Sequence, residues 1–222
     1  MFIYFIILLV FVIYVIRQKK FRIKFKTFFK KGLKTQRGNF GIYCYDGKQG
    51  KGKTYSIVKF LSDNNNVKIF GNLKSIDTNA LNLDYTYFEG FEGLLKLRNQ
   101  KNCIIFYDEI FTALTKSTKL NKEVMDFLSQ MRKRNIIFLT TAQEWLEIPM
   151  TFRRYCRFRV ECNTINLPFV NFSILKKIVY DAELMKWSQL DNEYVAPVVK
   201  TMYEKYILDV AESYDTYEQI NT

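Results

Sequence analysis

The chain has 222 residues, 48% hydrophobic and 17% aromatic, which suits one α/β domain with a real core and excludes a disordered segment. It has no histidine, and its four cysteines (Cys44, Cys103, Cys156 and Cys162) form no C-x-x-C pair, so a zinc site is excluded and the thiols read as reduced core residues of a cytosolic domain. The net charge of +12 is local: ten Lys/Arg and no acid lie between Arg17 and Arg37, and removing those ten leaves +2 for the rest, which excludes a generally nucleic-acid-coating surface.

In chain order, Met1 to Ile16 is uninterrupted apolar sequence and the first charge is Arg17. Sixteen helical residues span about 24 Å, short of the roughly 30 Å hydrocarbon core, a difference that snorkelling of Arg17, Lys19 and Lys20 or local thinning covers. The charge follows the apolar run and the flank is bulky, unlike a cleaved signal peptide. The expectation is a transmembrane helix over 1–17, N-terminus outside and the remainder in the cytoplasm by the positive-inside rule. Phe21, Phe25, Phe28 and Phe29 then recur at helical spacing among the lysines, so 18–38 reads as a basic amphipathic segment lying on an anionic inner leaflet. Gly38 to Gly41 is the hinge into a domain covering 39–222.

Gly41-Ile42-Tyr43-Cys44-Tyr45 reads as a buried strand, and Tyr55 to Leu61 has apolar residues at helical spacing. Between them Gly47-Lys48-Gln49-Gly50-Lys51-Gly52-Lys53-Thr54 is G-x-x-x-x-G-K-T, a Walker A phosphate-binding loop. Gly47, Gly50 and Gly52 let the backbone turn tightly and bring its N–H groups to phosphates at a helix N-terminus; Lys53 reaches the β- and γ-phosphates and the Thr54 hydroxyl takes Mg²⁺. Residues 47–55, Tyr55 included, form the expected nucleotide-binding stretch, with ATP and Mg²⁺ as cofactors. Val67 to Phe70 is a short strand, 71–87 carries little signal, and Phe91, Leu94, Leu95 and Leu97 predict a short helix ending near Asn99.

Cys103-Ile104-Ile105-Phe106-Tyr107-Asp108-Glu109 is an apolar run ending in two acids, a Walker B element. Asp108 would hold Mg²⁺ directly or through water, with Thr54, and Glu109 would polarise the attacking water as general base. The adjacent pair favours a hydrolase over a small-molecule kinase. Val124, Phe127, Leu128 and Met131 predict a helix over 121–134 ending in Arg132-Lys133-Arg134. Ile136 to Gln143 is another buried strand, whose C-terminal end lies on the ligand side of a parallel sheet, so Thr140, Thr141 and Gln143 reach the γ-phosphate or the water, Gln143 as its sensor. Beyond Cys162, residues 169–174 and 177–180 predict a β-hairpin packed on the sheet edge. Tyr203, Tyr206, Tyr214 and Tyr217 read as packing against the domain rather than as a platform for DNA bases.

Walker A, the Asp108-Glu109 Walker B, Arg132-Lys133-Arg134-Asn135 entering a strand that ends Thr140-Thr141-Ala142-Gln143, and Phe152-Arg153-Arg154-Tyr155-Cys156-Arg157 together resemble the Zot family. That family contains the assembly ATPases of filamentous phages, within the FtsK–HerA class of DNA-pumping motors. Over roughly 40–165 the resemblance implies a P-loop NTPase fold, a mainly parallel sheet flanked by helices. It implies ATP hydrolysis by Lys53, Thr54, Asp108 and Glu109, with Gln143 sensing. It further implies a homo-oligomer, usually a hexameric ring, in which Arg132, Arg134, Arg153 or Arg154 acts in trans as an arginine finger. DNA and other virion assembly proteins are the expected partners and the host cytoplasmic membrane the expected location. One departure stands out: in the filamentous-phage type the span follows the ATPase domain, whereas here it precedes it. The membrane-associated packaging ATPases of membrane-containing phages are a close alternative, and a membrane-tethered switch or scaffold that moves no DNA is a contrasting one.

Overall fold

The computed structural model describes residues 4–10, 39–114, 120, 122–167, 172–189 and 193–215. Residues 4–10 are helical and exposed; the rest of the expected span and the basic segment 18–38 lie outside the described residues. Among the described residues no helix is long and apolar enough to cross a membrane.

The domain is built on an eight-stranded sheet. Its strands are β1 (Gly41–Asp46), β2 (Ile69–Gly71), β3 (Tyr85–Tyr87), β4 (Ile104–Tyr107), β5 (Ile137–Ala142), β6 (Cys156–Leu167), β7 (Phe172–Asp181) and, after a separate hairpin of β8 (Lys186–Ser188) and β9 (Glu193–Val195), β10 (Val198–Lys205). The spatial order is β10-β7-β6-β1-β5-β4-β2-β3. From β3 to β6 every pairing is parallel, while β6–β7 and β7–β10 are antiparallel. Parallel strands are covered on both faces, which is why β4 and β5 are buried along their whole length and read in the sequence as apolar runs.

The alternation of side chains divides the core into two layers. On one face Tyr45, Ile104, Phe106, Ile137 and Leu139 pack with Ile57, Val58 and Leu61 of α1 (Lys53–Asp63) and with Val210 of the C-terminal helix Leu208–Glu212. On the other, Ile42, Cys44, Ile105, Tyr107 and Phe138 pack with Leu94 of the helix Gly90–Lys96, with Val124, Phe127 and Leu128 of the helix Lys122–Ser129, and with Phe152. All four cysteines are buried free thiols within these layers, as expected. Tyr206 stacks on Tyr55 at 4.3 Å and Tyr214 is buried, so these two pack on the domain; Tyr217 lies outside the described residues.

Two expectations are corrected. The helix expected over 121–134 ends at Ser129. Arg132 to Ile136 instead form a turn with a left-handed Asn135 (φ 56°), in which Asn135 N donates to Arg132 O and Ile136 N to Met131 O. That reversal is what aims the chain into β5. The C-terminal hairpin is not 169–174 against 177–180; Phe172–Asp181 is one continuous strand, paired with β6 on one edge and β10 on the other. The turn expected between the two runs, at Leu175 and Lys176, is extended chain, and Lys177 beside it is buried and meets Glu204 of β10 at 2.7 Å. Strand β3 falls in the stretch that carried little signal.

Candidate active site

Strand β5 lies between β1, which leads into the phosphate loop, and β4, which leads into the acids. All three run parallel, so their C-terminal ends open on one edge of the sheet and bring the loop, Thr140–Gln143 and Asp108–Glu109 together.

The loop needs its glycines. Gly47 sits at φ 144°, and a Cβ there would lie 2.7 Å from the Cys162 carbonyl oxygen of β6. Gly52, at φ 78°, is the N-cap of α1, and a Cβ there would lie 2.8 Å from Leu175. The first turn of α1 contains no acid of its own, and the N–H groups of Lys53, Thr54 and Tyr55 precede the first intrahelical bond, Ser56 N to Gly52 O. Lys53 Nζ is folded over the loop, donating to Gly47 O at 2.7 Å and Lys48 O at 3.2 Å. This cradle fits a chain of phosphates. The Tyr55 side chain serves the interior instead: its hydroxyl accepts from Ile207 N at 2.7 Å, leaving the backbone N–H as its group for a nucleotide. Lys48, Gln49 and Gly50 are exposed and Lys51 is half-buried.

Thr54 and Asp108 are brought together, the Thr54 hydroxyl donating to the carboxylate at 3.1 Å. Thr141 Oγ1 donates to Asp108 Oδ1 and accepts from Glu109 N at 2.7 Å, so one hydroxyl ties both acids to β5. Asn72, at the end of β2 and buried, brackets the same residue: Asp108 N donates to Asn72 Oδ1 at 2.7 Å, and Asn72 Nδ2 donates to Asp108 O at 3.2 Å. Burial pushes the Asp108 carboxyl up to about 6; the Thr141 hydrogen bond pulls it down, Glu109 adds to the rise, and Thr54 and Lys53 oppose it. A threonine hydroxyl beside a buried carboxylate supplies two hard oxygens, which suits Mg²⁺. Glu109 is half-buried and holds a left-handed backbone (φ 53°, ψ 52°), a strained conformation for a residue with a side chain, at the start of the helical turn Ile110–Ala113.

Gln143 stands just past the end of β5, lining a cavity beside the phosphate loop. Its side chain is exposed, and its carbonyl accepts from Gly47 N at 3.3 Å, so its backbone anchors the loop. The candidate arginines lie apart from this corner. Arg132 is exposed and paired with Glu183; Arg134 is half-buried; Arg154 is exposed. Arg153 is turned inward, its Nε donating to Ile148 O at 3.1 Å and its guanidinium lying over the Trp145 and Tyr194 rings, and burial lowers its pKa.

Sequence reasoning missed three residues. Asn72 is one. The others are Asp46, last residue of β1, and Arg159 of β6, joined by a bidentate pair: Nη2 to Oδ2 at 2.7 Å, Nε to both oxygens at 3.0 and 3.1 Å. Burial pushes Asp46 up and the guanidinium pulls it back; burial draws Arg159 down, but Asp46 more than compensates and raises it. The signal was available: Cys156, Phe158, Val160 and Cys162 alternate with Arg157, Arg159, Glu161 and Asn163, the period of a strand. Outside this pair a cavity of about 670 Å³ opens beside the loop, walled by Gly47, Lys48, Lys51, Trp145, Trp187 and Tyr194 among others.

No family model matches the chain, and no curated protein matches it by sequence. Solved structures match it by shape. The N-terminal domain of zonular occludens toxin from Neisseria meningitidis superimposes with a TM-score of 0.52 at 14% identity, over 79% of this chain and 98% of that one. The genome packaging NTPase B204 of Sulfolobus turreted icosahedral virus 2 gives 0.48 at 11% identity over 70% and 95%. The flagellar accessory protein FlaH of Methanocaldococcus jannaschii gives 0.45 at 12% over 75% and 89%. The chain has the fold of the toxin's N-terminal domain, a mostly parallel α/β sheet of the P-loop type.

Proposed function

We propose that this chain is a membrane-anchored, magnesium-dependent ATP hydrolase that drives DNA translocation in phage-like virion assembly and extrusion. The observation that carries the reading is the corner where Thr54, Asp108, Thr141 and Glu109 meet beside Lys53. Bound Mg²⁺, which Thr54 and Asp108 would hold, would supply positive charge to offset that of the phosphates. The chain's own groups do the rest. Backbone N–H groups of the loop and of the first turn of α1 hold the phosphates, and Lys53 leaves the loop carbonyls for them. Thr54 and Asp108 hold the metal, and Glu109, kept in place by Thr141, accepts a proton from the attacking water.

The fold shared with the toxin's N-terminal domain supports placing the chain among the motors that its motifs resemble. The apolar run Met1–Ile16, followed by ten basic residues, supports an anchor in the host cytoplasmic membrane with the ATPase domain in the cytoplasm. A homo-oligomeric ring follows from the same resemblance. Within it the exposed Arg154 is better free to enter a neighbour's site than the inward-held Arg153. The position of the anchor before the domain favours a second reading, a genome-packaging ATPase of a membrane-containing virus.

The test is ATP hydrolysis by the full-length protein in vesicles, with and without single-stranded DNA, beside Glu109→Gln. Turnover that DNA raises and the substitution abolishes is the expected result. ATP binding with no Glu109-dependent turnover would leave a membrane-tethered switch or scaffold, and turnover indifferent to DNA would remove the translocation step.

A further inference from the structure

The cavity beside the phosphate loop is furnished for more than phosphate. Its inner wall is the loop itself, through Gly47 and Lys51. Its outer wall is the β8–β9 hairpin, a two-stranded sheet separate from the main one, on which Trp187 and Tyr194 face each other with ring centroids 5.0 Å apart. Cross-strand aromatic pairing accounts for that contact, but Trp187 stays 49% exposed, an aromatic face left on a cavity wall. Trp145, also lining the cavity, is 4% exposed, and its indole Nε1–H is buried without an acceptor. That nitrogen is shielded from the cavity, so what Trp145 offers the cavity is ring carbon. About 670 Å³ is ample for a nucleoside, and a purine offers a π-face.

We propose that this cavity is the nucleoside subsite of the ATP site: the base stacks on the exposed face of Trp187, which Tyr194 braces edge-on. The inference rests on reading the neighbouring loop as a phosphate site. It assigns base recognition to the C-terminal hairpin, outside both Walker elements, and makes Trp187 and Tyr194 affinity-determining residues.

The chain has two tryptophans, Trp145 and Trp187, and both line this cavity, so intrinsic emission reports on it alone. The full-length protein is titrated with Mg-ATP and with Mg-tripolyphosphate, by tryptophan emission and by calorimetry. ATP is expected to change the emission and tripolyphosphate to bind without doing so. Trp187→Ala should weaken ATP about ten-fold and tripolyphosphate by less than about two-fold, while Trp187→Phe, which keeps a stacking face, stays within about two-fold of wild type for both. Equal weakening of both ligands by Trp187→Ala would overturn the subsite, since the hairpin would then be supporting the loop. So would ATP that binds no tighter than tripolyphosphate and leaves the emission unchanged, although the phosphate loop would stand. If neither ligand binds, both readings fall.

Discussion

The two sides of the phosphate loop are built on opposite terms. On the acid side, Asp108 is enclosed: its carboxylate, its N–H and its carbonyl are all taken up by Thr54, Thr141 and Asn72. On the other side, Trp187 holds half its surface against an open cavity. Bond-making chemistry needs groups fixed before the substrate arrives, because their reorganisation would otherwise add to the barrier. Holding a flat base needs only a surface. A closed corner should therefore govern rate and stability together, and an open wall should govern affinity alone.

Asp108→Asn is the strongest challenge to that division. It should lower turnover at least about a hundred-fold, since the proposed Mg²⁺ site would lose its charged ligand. It should also stabilise the fold. The Asp108 pKa rises from 3.8 to about 6 on folding, so the folded state holds the proton more tightly. The stability this contributes is complete below pH 3.8 and lost as pH rises through about 6, which leaves the ionised group opposing folding by roughly 3 kcal/mol. In metal-free buffer Asp108→Asn should thus melt higher than wild type at pH 8, the gap closing towards pH 4. A gap that does not change with pH would mean that the buried carboxylate is not its source.

Thr141→Val keeps the shape and removes one hydroxyl. It should cost about 1–3 kcal/mol in chemical denaturation, because Glu109 N loses its acceptor in a half-buried turn, and turnover should fall with it. Unchanged stability would show that the corner is held by Asn72 alone. The smallest effect belongs to the open side. Trp187→Ala should change stability by less than about 1 kcal/mol, the worth of one cross-strand pair, and leave kcat unaltered at saturating ATP. A large fall in kcat there would erase the division between the two sides.

Much of the closed corner is legible in the sequence, because its elements are parallel strands buried on both faces. Such strands print continuous apolar runs, and the acids, Thr141 and the glycine loop stand where those runs stop. Asn72 is illegible for the complementary reason: one polar residue after a three-residue strand has no periodicity to announce it. The open side went unread through its charges. Arg159 and Glu161 stand in an alternating strand with no local sign of a partner, yet Arg159 turns to a carboxylate 3% exposed. The chain expected to reverse between 174 and 177 runs straight on, and Lys177 finds Glu204 on β10. In each case a long-range partner, absent from any local pattern, decides what the charge is for. The span is read from composition and lies largely outside the described residues, and the arginines are read from motif alone.

Strand β6 is twelve residues long, irregular between Cys156 and Phe158, with the first part locked to β1 and the last paired with β7 alone. Where those parts meet, its Cys162 carbonyl lies against Gly47 and its Thr164 against Gly52, the two ends of the phosphate loop. Extended backbone neither stretches nor compresses appreciably, and the stretch from Asn163 to Leu167 reaches roughly 17 Å beyond that contact. The arrangement is a push-rod, with one end against the loop and the other outside the site. A displacement of the loop along the strand is carried to its far end at Leu167.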